Sequence, residues 1–290
     1  MLTILGLLGL AFAGTALVGN PFGPSSEADE TAVPDNENPL ETVGINDVID
    51  GATDGIIAET SDGYDEFFGG DGDDVADGQG NHDYLDGRGG NDTLSGGDGD
   101  DHLHGGEGDD LLSGDDGNDL VYGYIGDDDM SGGTGDDLLH GGDGNDHVYG
   151  GDGDDELLGG HGDDTLIGGA GRDMIQGSEG DDVIDGVTGE TIAERDYLNG
   201  SEGQDRLIGN DGDVMSGGAD SDQFEITSGT VSIMDYSDED VLVLNYAGNT
   251  PDLTTQITDD GIMLFADGAP VASLYGLTSF DVSTVQLVEA

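Results

Sequence analysis

The sequence contains no cysteine and no lysine, and its four arginines face 67 aspartates and glutamates across 290 residues. Without cysteine the chain can form no disulfide framework and perform no thiol chemistry. The formal net charge of −63 excludes nucleic acid as a natural partner, because nucleic-acid binding requires a basic surface. The same charge opposes a compact fold through self-repulsion, so cations are the expected counter-charges.

Two catalytic motifs are also absent. The sequence has no H-E-x-x-H and no G-x-S-x-G, the patterns of zinc proteases and of α/β-hydrolases. Pairs of carboxylates could indicate a glycosidase, but in a chain this acidic a pair carries little weight. We therefore expect a protein that is not an enzyme, with no catalytic and no cofactor-binding residues.

Glycine is instead abundant, and it recurs every nine residues from Gly69 to Gly177. Thirteen unbroken repeats follow the pattern G-G-x-G-x-D-x-U-x, in which U is apolar. Position six is aspartate and position eight is apolar in every one of them. A fixed period of this kind is the signature of a solenoid. A disordered low-complexity tract would not keep an apolar residue at the same position throughout.

The repeat itself predicts the fold. Its first six residues are turn-forming, since glycine adopts positive φ angles without strain, and its last three form a short strand with one side chain inward. Two repeats make a coil of 18 residues, and stacked coils pair their strands in parallel. The prediction is an all-β parallel β-roll, a β-helix solenoid with two internal ladders: Leu94, Leu112 and Met130 in one, and Leu103, Val121 and Leu139 in the other.

Stacking also places the acidic turns over one another, with Asp101 over Asp119 and Asp110 over Asp128. Bare carboxylates would repel there, and a Ca²⁺ ion between turns would remove the repulsion. Calcium takes roughly six to eight oxygen ligands from carboxylates and main-chain carbonyls, whereas Mg²⁺ demands strict octahedral geometry. The acid pairs are therefore candidate half-sites for several calcium ions, completed by the next coil.

The nonapeptide resembles the RTX (repeats-in-toxin), or haemolysin-type, calcium-binding repeat. The resemblance implies a calcium-binding β-roll, export by a type I secretion system, and folding outside the cell. It also implies that the position-six aspartates supply side-chain ligands. These are Asp74, Asp83, Asp92, Asp101, Asp110, Asp119, Asp128, Asp137, Asp146, Asp155, Asp164, Asp173, Asp182, Asp196 and Asp205. Asp222, in a divergent final repeat, is a weaker candidate.

The array at 69–225 has irregular neighbours. Residues 42–68 are degenerate repeats that keep only part of the pattern. Residues 186–200 contain an insertion of five residues, and residues 209–216 form a repeat that is one residue short. The metal sites of the 186–216 region are correspondingly less regular.

The N-terminal segments differ in character from the array. Residues 1–19 are a hydrophobic segment, uncharged over 2–19, which is long enough for a membrane anchor. A cleaved signal peptide and a buried apolar terminus are the alternatives. Residues 20–41 contain four of the six prolines and many acids, and we expect an acidic, flexible linker.

Residues 226–290 have few glycines and several β-rich runs, including VSIMDY, DVLVLNY and GIMLFADG. Alternation and turn signals predict a small antiparallel β unit, which would cap the last apolar face of the solenoid. The RTX resemblance adds a secretion signal near the C-terminus.

Two functional hypotheses follow. The first is an extracellular or cell-surface calcium-binding protein of structural or adhesive role, which folds on binding Ca²⁺ after export. Its expected partners are calcium, the type I secretion machinery and, as a candidate, a cell-surface or matrix polysaccharide. The alternative is an exported effector, toxin-like or carbohydrate-active, that uses the array as its secretion and folding module. We favour the first, because about 65 residues beyond the array leave little room for an active domain.

Overall fold

A computed structural model describes residues 42–44, 49–50, 57–59, 63–190 and 192–289. The predictions for residues 1–19 and 20–41 lie outside the described residues. So does most of the degenerate region 42–68, of which three short strands and residues 63–68 are described. In this part of the chain no helix has the length and apolar character needed to cross a bilayer.

Two sheets account for the described strands, which are numbered along the chain. The first sheet has 13 strands in the order β1-β3-β5-β7-β9-β11-β13-β15-β17-β19-β21-β23-β27. Their bounds are Thr42–Gly44 (β1), Ile57–Glu59 (β3), Val75–Asp77 (β5), Thr93–Asp98 (β7), Leu111–Asp116 (β9), Asp129–Thr134 (β11), His147–Asp152 (β13), Thr165–Ala170 (β15), Val183–Asp185 (β17), Arg206–Gly209 (β19), Gln223–Ile226 (β21), Val241–Tyr246 (β23) and Gln286–Glu289 (β27).

The second sheet has 14 strands within the described ranges, in the order β2-β4-β6-β8-β10-β12-β14-β16-β18-β20-β22-β26-β25-β24. Their bounds are Ile49–Asp50 (β2), Glu66–Phe68 (β4), Tyr84–Gly89 (β6), His102–Glu107 (β8), Leu120–Ile125 (β10), Leu138–Asp143 (β12), Glu156–His161 (β14), Met174–Glu179 (β16), Tyr197–Glu202 (β18), Val214–Ala219 (β20), Val231–Ile233 (β22), Leu253–Ile257 (β24), Gly261–Ala266 (β25) and Ala269–Tyr275 (β26).

Successive repeats alternate between the two sheets, so each strand of the regular array pairs in parallel with the strand 18 residues away. Leu94 pairs with Leu112 and Leu112 with Met130, while Leu103 pairs with Val121 and Val121 with Leu139. The predicted parallel β-roll and both internal ladders are therefore confirmed. The position-eight side chains are almost fully buried between the two sheets, from Phe67 to Leu207.

The strands are longer than the sequence predicts. Most strands of the regular array have six residues rather than three, as in Leu111–Asp116. They cover positions seven to nine and continue through positions one to three of the next repeat. The three-residue prediction was wrong because the glycines were assigned wholly to the turn. Position two keeps a positive φ, as at Gly133 (φ 117°), yet the chain on both sides of it stays paired with the neighbouring coils.

The irregular repeats fit into the same stack. Ile175 pairs with Leu198, and Leu198 pairs with Met215. The five-residue insertion and the missing residue are thus absorbed in turns, because the strands on either side keep the register of the roll.

The C-terminal region combines a continuation of the roll with a cap. The VSIMDY and DVLVLNY runs extend the parallel sheets as β22 and β23. The predicted antiparallel unit is confirmed for β24, β25 and β26. Strand β26 pairs in parallel with β22, and a 3-10 helix at Val282–Thr284 precedes β27, which pairs with β23. Ile262, Leu264 and Leu274 join the continuous core.

Candidate calcium sites

The position-six aspartates lie in the interior of the roll. Across the array their exposed fraction does not exceed 3%. The sequence places each one directly before the strand, so the same turn that starts the strand points this carboxylate inward. Burying a charged carboxylate costs free energy unless it is paired or binds a metal, so each of these side chains requires a partner.

One oxygen of each carboxylate is used between coils. The backbone N–H of Asp101 donates to Oδ1 of Asp119 at 2.7 Å, and the N–H of Asp119 donates to Oδ1 of Asp137 at 2.8 Å. A second ladder runs through the other repeats, where the N–H of Asp110 donates to Oδ1 of Asp128 at 2.8 Å. Each aspartate thereby holds the preceding coil through its side chain.

The other oxygen is buried and has no hydrogen-bond partner at most of the predicted positions. Asp74 differs, because its Oδ2 accepts the N–H of Gly70 at 2.8 Å. The buried, unpartnered Oδ2 atoms belong to Asp83, Asp92, Asp101, Asp110, Asp119, Asp128, Asp137, Asp146, Asp155, Asp164, Asp173, Asp182, Asp196 and Asp205.

Burial disfavours the ionised form of these carboxyls. It raises the pKa of Asp119 and Asp128 from 3.8 to about 7, and the pKa of Asp196 to about 8. The hydrogen bond from the preceding coil opposes this rise, while the neighbouring aspartates of the same ladder add to it. A carboxylate in this environment needs either a proton or a cation.

The glycine at position one provides the space beside Oδ2. Gly114 is one such residue. A Cβ atom on it would lie closer than van der Waals contact to Oδ2 of Asp119 and to the carbonyl oxygen of Gly132 in the next coil. Alanine would collide with both oxygens. Glycine therefore leaves a carboxylate oxygen and a carbonyl oxygen from adjacent coils facing the same small volume.

This chemistry suits calcium. Among the described residues, no group of three or more His, Cys, Asp or Glu side chains is placed to hold a metal ion. An ion in the turns would combine the position-six carboxylates with main-chain carbonyls, and Ca²⁺ accepts both kinds of oxygen ligand. The side-chain ligands would be the position-six Oδ2 atoms, and their neighbours would be the carbonyls of the glycine turns.

Comparison with known families gives the same assignment. The family described as the RTX calcium-binding nonapeptide repeat (4 copies) matches residues 59–94, 86–121, 95–130, 122–157, 131–166, 158–192 and 193–224. Together these matches span more than half of the chain. The chain belongs to the RTX calcium-binding repeat family. The RTX resemblance stated from the sequence is confirmed, and the ligand of these repeats is calcium.

No curated protein matches the chain. Among solved structures, the extracellular lipase LipA from Serratia marcescens matches with 20% identity and a TM-score of 0.22. The match covers 81% of this chain and 42% of that chain, so the RTX chain spans less than half the length of the lipase.

Positions five and six of the RTX turns, where many repeats carry two adjacent acids, have different surroundings, which the sequence does not reveal. Position five is exposed, and its side chain accepts from the backbone of the following coil. Oδ1 of Asp127 accepts the N–H of Asn145 at 2.8 Å, and Oδ1 of Asn145 accepts the N–H of Asp163 at 2.8 Å. Because asparagine serves equally at this position, it is the acceptor oxygen rather than the charge that links the coils.

Sequence reasoning missed Asp213 and gave Asp222 only as a weaker candidate. Asp213 and Asp222 are as buried as the predicted residues, and their Oδ1 atoms accept from Asp196 and Asp205 at 3.0 Å. The short repeat at 209–216 lacks the residue of position five. Asp213 would have been found by counting back two residues from Met215, the apolar residue at position eight. One ladder ends at Asp213, and the other ends at Asp240, whose Oδ1 accepts the N–H of Asp222 at 3.0 Å. At both ends Oδ2 accepts a local N–H, from Asn210 for Asp213 and from Ser237 for Asp240, each at 2.6 Å.

Proposed function

We propose that this RTX protein is exported unfolded and folds outside the cell, or on its surface, when calcium fills the turns of the roll. We further propose a structural or adhesive role and assign it no catalytic activity. The observation that carries the proposal is the row of buried, unpartnered Oδ2 atoms on 14 aspartates. A roll without cations would hold these carboxylates inside with nothing to balance their charge.

The balance of free energies supports calcium-dependent folding. The core receives about one apolar side chain from each nonapeptide, which is little to offset the conformational entropy of the chain and a net charge of −63. Each bound ion stabilises the fold by RT ln(1 + [L]/Kd). Extracellular calcium modules bind at about 10⁻⁴–10⁻³ M, so such sites fill outside the cell and stay largely empty in the cytosol.

Type I secretion is the export route that the RTX family implies, and its machinery is the proposed partner inside the cell. An unfolded chain suits passage through a secretion channel. The higher calcium concentration outside the cell then favours the folded state there. The C-terminal unit at 226–290, which caps the roll, is the proposed location of the export signal.

The test is far-UV circular dichroism of the full chain during a calcium titration, with magnesium as the matched control. We expect a cooperative change from coil to β-structure near millimolar calcium and no comparable change in magnesium, because Mg²⁺ demands strict octahedral geometry and holds its waters. A chain that already shows β-structure in chelator at neutral pH would contradict folding after export. A chain that stays disordered in about tenfold more calcium than weak extracellular sites need would contradict the calcium-folded roll itself.

A further inference from the structure

A long trough runs over the outer face of strands β6 to β16, parallel to the stacking direction of the coils. Outward side chains at position nine form one ridge, as at His104, Tyr122 and His140. Those at position three form the other, as at Glu107, Ile125 and Asp143. The glycines between them leave an open volume of about 850 Å³. Six coils at about 4.8 Å each give the trough a length of roughly 29 Å.

Aromatic rings line the middle of this trough. The Tyr122 ring stacks on His104 with centroids 5.3 Å apart, and His140 meets it edge-on at 6.2 Å. The Tyr124 ring also stacks on His104, and its hydroxyl lies 2.9 Å from His104 Nδ1. The following residues in its column are Gly142 and Gly160, which present no side chain to the ring. Tyr124 is accordingly 48% exposed.

Hydrogen-bond acceptors dominate the rims. Asp86, Glu107, Asp143 and Glu179 all line the trough. Arg88 also lines the trough, and its Nε lies 3.9 Å from Oδ2 of Asp86. Its guanidinium donates to the carbonyl of Gly69 at 3.1 Å and lies 5.3 Å from the centre of the Phe68 ring. Burial lowers the pKa values of His104 and His140, which favours their neutral imidazoles.

The acidic rims and the aromatic floor decide which class of linear polymer fits the trough. An anionic polymer is repelled by the acidic rims and by the net charge. An extended peptide gains affinity from main-chain bonds to a free sheet edge, and the strands under the trough are paired on both sides. A neutral glycan fits better, because its hydroxyl groups donate to carboxylates and its C–H faces pack against aromatic rings.

We propose that the trough binds a linear neutral polysaccharide, with Tyr122 and Tyr124 packing against its sugar rings and the acidic rims accepting its hydroxyl hydrogens. This inference rests on the proposed function, since it names the partner of the calcium-folded surface protein. A sugar unit of an extended glycan is close in length to the rise of one coil, so successive units meet successive coils.

The test is affinity electrophoresis of the full chain at about 5 mM calcium, above the range of weak extracellular sites. The gels contain hydroxyethyl cellulose or dextran as neutral probes, alginate as the anionic probe, or an octa-arginine peptide as the basic one. The double variant Tyr122→Ala/Tyr124→Ala removes the aromatic floor. Tyr149→Ala is the matched control, because Tyr149 occupies position nine of the opposite sheet and is 39% exposed.

We expect a neutral probe to retard the native chain. The double variant should lose roughly tenfold in affinity, with Tyr149→Ala unchanged and the calcium-induced circular dichroism the same in all three. Retention of affinity by the double variant would overturn the inference, as would binding only to alginate or to the basic peptide. A native chain that folds in calcium without binding a neutral probe overturns the inference alone. A native chain that fails to fold in calcium overturns the proposed function as well.

Discussion

Adjacent aspartates in one turn have different environments, as Asp127 and Asp128 show. Asp128 is buried, with Oδ2 unpartnered and its pKa raised to about 7 by burial. Asp127 is exposed and accepts one backbone N–H from the following coil. At Asp128 the negative charge is available to a cation, whereas at Asp127 the acceptor oxygen links two coils.

This difference predicts opposite outcomes for two neighbouring substitutions. Asp128→Asn keeps an oxygen for the N–H of Asp110 but removes the charge, so we expect it to raise the calcium midpoint for folding and to bind fewer ions. Asp127→Asn keeps its acceptor, and asparagine already occupies position five at Asn118 and Asn145. We therefore expect it to leave the midpoint unchanged. Both are measured by calcium titration under circular dichroism, and equal shifts for the two variants would contradict the assignment.

Residue by residue, the sequence predicted the inward aspartate and the inward apolar side chain, because both recur at fixed positions. It could not predict that Asp74 has a local partner for Oδ2, because that depends on the N–H of Gly70. It also missed Asp213, because one deleted residue moves the repeat out of phase.

At the scale of the element, each six-residue strand of the regular array contributes one large inward side chain and then an inward glycine. In Leu111–Asp116 these are Leu112 and Gly114, with Leu111 and Ser113 outward. The inward glycine lies against the carboxylate and the carbonyl of the turn. The roll therefore has a narrow apolar core, bordered by oxygen-rich turns.

The prediction for the hydrophobic core compares alanine substitutions of two adjacent leucines, both made in the calcium-bound protein. Leu112 is fully buried, so Leu112→Ala should cost about 2–5 kcal/mol of unfolding free energy. Leu111 is 50% exposed, and Leu111→Ala should cost far less. Chemical denaturation at saturating calcium measures both. A loss for Leu111→Ala as large as that for Leu112→Ala would contradict the inward and outward assignment of the strand.

Element boundaries were less predictable than register. Register follows from the 18-residue period alone, since a shift by one residue would turn every leucine outward. Strand length depends on whether glycines at positions one and two pair with the neighbouring coils, and their φ angles alone do not decide it. The same reasoning found the antiparallel cap strands but not the continuation of the roll through β22 and β23.

At the scale of the whole molecule, protons and calcium compete for the same carboxylates. In the metal-free roll, burial raises the pKa of Asp92 and Asp164 from 3.8 to about 7. The folded state then binds more protons than the unfolded chain at intermediate pH. This contribution to stability is fully present below about pH 4 and is lost as pH rises through about 6–7.

We therefore expect the chain in chelator to gain β-structure as the pH is lowered from about 8 to about 5. Circular dichroism at each pH measures the gain, with a sample in saturating calcium as control. In the control the β-signal at about pH 8 should already be complete. More β-structure at the higher pH in chelator would show that the buried carboxyls do not oppose folding.

The most direct test of the account measures calcium uptake and compaction on the same sample of the full chain, by equilibrium dialysis and small-angle X-ray scattering. The account predicts that several ions bind over the same narrow range of calcium in which the radius of gyration falls from about 60 Å, the value for an unfolded chain of this length. Compaction in chelator at neutral pH, or calcium uptake without compaction, would contradict the claim that calcium in the aspartate turns folds the roll.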